Sequence, residues 1–168
     1  MSNVLRVEQS FDRPPAALFP FFADAFNLER ITPPFLRFRV VTPPPIEMRV
    51  GTLIDYRLRV RGIPLRWRTE ITAWEPPLRF VDEQIRGPYR TWIHEHRFEA
   101  TESGTRMIDT VRYAAPGGRP VERLLVDRDV AAIFDFRRRA LEVMFMAGQP
   151  ESSSSSRRRS ESPNRPSA

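Results

Sequence analysis

The sequence contains no cysteine, which excludes disulfides, cysteine-ligated zinc and thiol catalysis. It also contains no lysine, since all 27 basic residues are arginine, a bias that reads as codon usage in a GC-rich genome rather than selection for bidentate recognition. No stretch is apolar over the ~20 residues a membrane span needs. The longest candidate, residues 16–23, is interrupted by Pro20. A glycine-rich phosphate loop is missing too: Pro116-Gly117-Gly118-Arg119-Pro120 lacks the Lys-Ser/Thr ending, and its prolines cannot donate, so nucleotide-dependent chemistry is not expected. Neither Ser10 nor Ser103 lies in a nucleophile elbow, which removes support for serine hydrolysis. The N-terminus has no basic segment followed by an apolar one, so the sequence predicts no secretory signal and a soluble, cytoplasmic protein.

What is present fits one domain. The 168 residues suffice for a single hydrophobic core. The net charge is +6, but residues 149–168 carry four Arg and two Glu, leaving 23 Arg against 19 acids in the body. Charge so mixed does not call for a nucleic-acid partner. The chain divides into a folded domain, 1–149, and a Ser/Arg-rich tail, 150–168, which has no apolar residue larger than Ala or Pro and is expected not to fold.

Along the domain, Leu5, Val7, Gln9 and Phe11 alternate with polar residues and predict a first strand over 3–11. Pro14-Pro15 opens a helix, and a second short helix follows with Asp24 as its N-cap, stopping before Pro33-Pro34. From Phe35 to Tyr113 the period is that of strands. Leu36, Phe38 and Val40 form one inward face; Thr52, Ile54, Tyr56, Leu58 and Val60 the next; Leu65, Trp67, Thr69 and Ile71 return beside it. Leu78, Phe80, Asp82 and Gln84 come next, and Met107, Asp109, Val111 and Tyr113 close the series. Short turns between them predict an antiparallel meander with one dry face, while Asp55, Arg57, Arg59, Arg66, Arg68 and Glu70 mark the wet one. After Pro116 the spacing changes to three and four, and Val126, Val130, Ile133, Phe134, Leu141, Met144 and Phe145 predict one amphipathic helix over Val121–Ala147.

The most informative strand is Thr91-Trp92-Ile93-His94-Glu95-His96-Arg97-Phe98. Its alternation puts Trp92, His94, His96 and Phe98 on one face, so both histidines of the protein share a side with bulky aromatics. The turn Gly87-Pro88-Tyr89 can set Asp82 opposite His94, and the next hairpin can bring Asp109 beside His96, with Gln84, Tyr56 and Tyr113 nearby. Such a group has the parts for acid–base catalysis by His94 or His96 with Asp82 and Asp109. The preferred reading is a buried polar network whose members satisfy one another or hydrogen-bond a ligand, in a binding protein without catalysis. The group also has the donors for zinc or iron, although His-X-His is a weak metal signal, and neither a metal nor another cofactor is expected.

A strand, two short helices, a six-strand meander and a long C-terminal helix is the helix-grip order of elements. Together with Asn27-Leu28, Ile31-Thr32-Pro33, Gly51-Thr52, Trp67, the Phe80/Asp82/Gln84 strand, Gly87-Pro88-Tyr89, the His94 strand, Asp109, and Tyr113 with Pro116, it resembles the polyketide cyclase/dehydrase and StAR-related lipid-transfer superfamily, SRPBCC. The likeness is to its bacterial ligand-binding branch, sometimes labelled cell-division-inhibitor-like, over residues 3–147. The resemblance implies an α+β helix-grip fold, a curved antiparallel sheet of about seven strands around the C-terminal helix, with an internal hydrophobic cavity. It identifies no catalytic residue.

On that basis the expected partner is a hydrophobic or amphipathic small molecule, lipid-, polyketide- or aromatic-like. The expected contacts are Tyr56, Trp67, Phe80, Asp82, Gln84, Trp92, His94, His96, Phe98, Asp109, Tyr113, Phe134 and Met144. The alternatives are a cyclase- or dehydratase-type enzyme using a cavity histidine, and a regulatory interaction module. No nucleic acid and no stable membrane insertion are expected, and the sequence does not set an oligomeric state.

Overall fold

A computed structural model describes residues 2–121 and 126–146. The chain runs β1 (Asn3–Phe11), α1 (Pro15–Ala23), two 3-10 segments (Ala25–Ile31 and Pro34–Leu36), β2 (Arg39–Val40), β3 (Leu53–Val60), β4 (Ile63–Glu75), β5 (Arg79–Arg86), β6 (Thr91–Thr101), β7 (Gly104–Ala114), α2 (Gly118–Val121) and α3 (Asp127–Met146). All seven strands form one antiparallel sheet in the order β1-β7-β6-β5-β4-β3-β2. Consecutive hairpins build β2 to β7, and β1 closes the far edge by pairing with β7 along its whole length, Asn3 opposite Tyr113 and Phe11 opposite Thr105. This is the helix-grip fold.

Local chemistry accounts for most boundaries. Pro15 sits in the first turn of α1, where a missing N–H costs nothing. Asp24 accepts from Phe26 N at 2.9 Å and caps the next segment, which winds as a 3-10 rather than an α-helix. The strand expected through Leu36 is cut to two residues. Pro33 and Pro34 start a 3-10 turn, and Arg37 takes a left-handed conformation (φ 45°) whose N–H bonds Pro34 O, so pairing with β3 begins only at Arg39. Of the helix expected over Val121–Ala147, α3 carries Asp127–Met146; residues 122–125, 147 and the whole tail lie outside the described residues. None of the described helices is long and apolar enough to cross a membrane.

The sheet bends as well as twists. β4 shifts register against β5 between Arg68 and Thr69 and again between Ile71 and Ala73, irregularities that increase local twist and let the sheet wrap. Under its concave face an aromatic core joins α1 to the strands. Leu18 and Phe98 are fully buried with Phe11, Phe19, Phe22, Phe80 and Leu141 around them, and Phe19 meets Phe80 and Phe98 edge-on. The C-terminal helix is held across β1 by Gln9, which donates to Arg138 O at 3.0 Å, and by Phe145, whose ring meets Phe11 at 5.5 Å. On the convex face Arg68 grips Asp55 through two hydrogen bonds of 2.7 and 2.8 Å. Ile54, Tyr56, Leu58, Ile71 and Phe80 are buried on the dry face as the alternation predicts, but Leu78, expected with them, lies in the turn before β5 and is exposed.

Candidate functional site

Three strands set the polar centre. Pairing of β5 with β6 places Asp82 opposite His94 and Phe80 opposite His96, and pairing of β6 with β7 places Asp109 opposite His96. The side-chain bonds then run diagonally. His94 Nε2 lies 3.1 Å from Asp109 Oδ1, and His96 Nε2 lies 3.0 Å from Asp82 Oδ2. Each imidazole also approaches the other carboxylate, His94 Nδ1 at 3.6 Å from Asp82 and His96 Nδ1 at 2.9 Å from Asp109. The last approach is short but out of line with the ring N–H, so His96 Nδ1 has no aligned hydrogen bond among the described residues.

Both rings are about as buried as the apolar core, each 3% exposed. Their centroids lie 3.7 Å apart with the rings tilted by 39°, Phe80 stacks on His96 at 4.0 Å, and Phe134 of α3 meets His94 edge-on at 5.3 Å. The two sites titrate in opposite directions. Burial, reinforced by the neighbouring His96, pushes His94 down to about 4, against the pull of Asp109 and Asp82. Burial also works against a charge on His96, but Asp109 and Asp82 outweigh it and raise its pKa. The carboxyls answer in kind. Burial would raise both, yet the histidines, joined at Asp82 by the Arg137 charge, hold Asp82 low, and the histidines hold Asp109 well below the usual carboxylate range. The arrangement favours one shared proton, carried on His96.

The cluster borders a cavity of about 140 Å³ between sheet and helices. Phe22, Leu28 and Ile31 form one wall; Ile54, Tyr56, Leu58, Trp67, Thr69 and Ile71 of β3 and β4 form the sheet side; Ile133, Phe134 and Arg137 of α3 complete it. Near the β5–β6 turn, Trp67, Tyr89 and Trp92 form a triad with centroids 4.8–5.6 Å apart. Burial drives the Tyr56 phenol well above its ordinary pKa and that of Tyr89 up to about 12, so both stay protonated.

Of the residues expected to line a cavity, Tyr56, Trp67, Phe80, Asp82, Trp92, His94, His96 and Phe134 do so, and five do not. Gln84 turns back into its own hairpin, donating to Tyr89 O at 2.7 Å, because Gly87-Pro88-Tyr89 leaves backbone groups that need a partner. Phe98 and Met144 belong to the aromatic core around α1. Tyr113 donates to Asp127 Oδ1 at 2.8 Å and anchors the start of α3. Asp109 stands behind the histidines, beside a separate void of about 10 Å³. The sequence reading also missed Arg137. Its signal was the gap in the α3 stripe: Val130, Phe134 and Leu141 leave a place at 137, and a guanidinium fills it.

The donors Asp82, His94 and His96 lie within 4.8 Å of one another, so a single cation could in principle span them. To do so it would have to open the Asp82–His96 hydrogen bond. Without an ion the same donors form the hydrogen-bonded contacts described above.

Solved structures with the same fold include a protein from Chromobacterium violaceum (14% identity, TM-score 0.67, covering 85% of this chain and 97% of that one). A Thermus thermophilus protein has 21% identity and TM-score 0.64, covering 88% and 100%. A major latex-like protein from Panax ginseng has 11% identity and TM-score 0.63, covering 86% and 97%. At these identities the likeness is one of fold alone. No curated protein matches the sequence. The family described as polyketide cyclase/dehydrase and lipid transport matches over residues 4–143, from the first strand into the C-terminal helix. The chain belongs to that polyketide cyclase/dehydrase and lipid transport family.

Proposed function

We propose that this protein binds a small hydrophobic or amphipathic molecule in the cavity between the sheet and α3. The observation that carries the reading is the cavity itself: about 140 Å³ with mostly apolar walls and a few polar groups, among them Asp82, His94, His96 and Arg137. Close-packed interiors do not leave voids of that size without a use or a cost. The dimension also limits the guest, since an engineered apolar cavity of about 150 Å³ accepts benzene. A guest of about one ring fits the space as it stands. Native mass spectrometry of protein purified from its own host, followed by NMR titration with ring-sized apolar compounds, tests the reading. A co-purified organic molecule or saturable binding is expected; bare protein that takes up none of the compounds sinks it.

A second reading, acid–base catalysis of the cyclase or dehydratase type, is favoured by the opposed titration of the two imidazoles. A pair whose environments push its pKa values apart offers an acid, His96, and a base, His94, in one site. His94→Ala and His96→Ala should each abolish turnover of whatever molecule is found while the protein still folds. Unchanged turnover eliminates this reading and leaves the binding one intact.

A further inference from the structure

Arg137 is 8% exposed, lies on α3, and borders both the main cavity and the small void beside Asp109. Among the described residues its Nε and Nη1 atoms have no hydrogen-bond partner. No carboxylate forms an ion pair with it there: Asp82 and Asp109 contact the histidines, and the Arg137 charge reaches Asp82 only through the longer-range field that helps to lower that carboxyl. The ring of Phe134, 5.2 Å from its Cζ, supplies a cation–π contact that offers the N–H groups no acceptor. A guanidinium cannot shed its proton to escape burial, as histidine or lysine can. Buried charges are ordinarily paired, and this one faces a cavity.

We infer that Arg137 is the anchor for a carboxylate, and that the guest is a compact organic acid with its apolar body among Phe22, Leu28, Ile31 and Ile71. A carboxylate supplies what the guanidinium lacks, acceptor oxygens in direct contact, and adds a charge-assisted bond to the more distant field of Asp82. The small void is at the lower limit for one water molecule. A water there can accept a bond but returns no charge. The histidine cluster answers the charge of Arg137 only at a distance: with one proton on His96 its two carboxylates leave a net negative charge, and the Arg137 guanidinium helps to lower Asp82, but no ion pair joins them, so the acceptor oxygens in direct contact must come from outside.

The inference rests on the cavity being a binding site, and the probes separate the two claims. Calorimetric titration of the full chain with benzoate, benzamide and toluene compares one ring with a charged, a neutral polar and an apolar substituent. Benzoate should bind about 10- to 100-fold more tightly than benzamide, the range of a charge-assisted hydrogen bond. Arg137→Met should abolish that preference and, having removed an unpaired buried charge, should melt no lower than the unliganded parent. Arg137→Lys should keep part of the preference. If benzamide or toluene binds as well as benzoate, the carboxylate inference is overturned and the cavity reading survives. If none of the three binds, both fall. Loss of folding in Arg137→Met would also overturn the inference, since it would make the arginine a structural ion-pair partner.

Discussion

Replacing Asp109 by Asn keeps the shape of the side chain and removes the charge on which the histidine pair depends. Asp109 Oδ1 is 3.1 Å from His94 Nε2 and 2.9 Å from His96 Nδ1. Two unit charges about 4 Å apart at an effective dielectric of about 20 interact by about 4 kcal/mol, or about three pKa units. Without that support, burial should win at His96 as it already does at His94, and its pKa should fall well below 6.5 instead of standing above it. The stability consequence has a definite sign. A raised histidine pKa contributes stability that is fully present below the unfolded value of about 6.5 and is lost as pH rises through the folded value. The loss in Asp109→Asn should therefore be largest in mildly acidic solution, about 3–5 kcal/mol for a broken buried pair, and should shrink toward about pH 9. The assay is convenient because the chain has two histidines, whose NMR signals can be assigned with one variant each. Histidine titrations give the pKa directly, and urea unfolding at about pH 5.5 and 9 gives the stability gap. A His96 signal that titrates at the parental pH in Asp109→Asn, or a gap that does not narrow in alkali, would refute the reasoning.

Leu18→Ala should cost about 2–5 kcal/mol in urea unfolding, because the fully buried side chain sits among aromatic rings that cannot collapse into its place; a loss under about 1 kcal/mol would show a looser core. Gly104→Ala should also destabilise. Its φ of +145° is glycine territory, worth about 1–3 kcal/mol, and a Cβ there would stand 2.0 Å from Phe11 O, so parental stability would contradict the β6–β7 turn geometry. His94 is depressed to about 4, so the unfolded chain takes up its proton first, and stability should fall between about pH 6.5 and 4 by about 3 kcal/mol on this account. Melting temperatures across that range should drop steeply in the parent and less in His94→Gln; identical slopes would remove His94 from the explanation.

A compact acid in a cavity with a proton-sharing histidine pair bears on both readings of the site. If the guest's carboxylate pairs with Arg137, its apolar body lies within reach of the imidazoles, and turnover depends on whether a proton of that body meets His94. Phe134 touches both polar centres, edge-on to His94 and beneath the Arg137 guanidinium. Its removal should therefore disturb histidine titration and acid binding together.

The period of the side chains was enough to set the order of elements and most of the strands and their two faces, though not the short β2 or the exposed Leu78. The span of β1 follows from alternation alone, and hairpin geometry was enough to put Asp82 opposite His94 and Asp109 opposite His96. That works because strand period and turn length are local properties of the chain. Local properties do not determine which of several inward groups meet. The diagonal His94–Asp109 and His96–Asp82 bonds, the turning of Gln84 into its own hairpin and the assignment of Phe98 and Met144 to the core rather than the cavity all depend on how the curved sheet wraps. Arg137 shows the division most plainly. The sequence marked a gap in an apolar stripe, but only the packing of α3 over the sheet turned that gap into a buried, unpaired charge at a cavity wall, because burial and the lack of a partner are defined by neighbours far away in sequence.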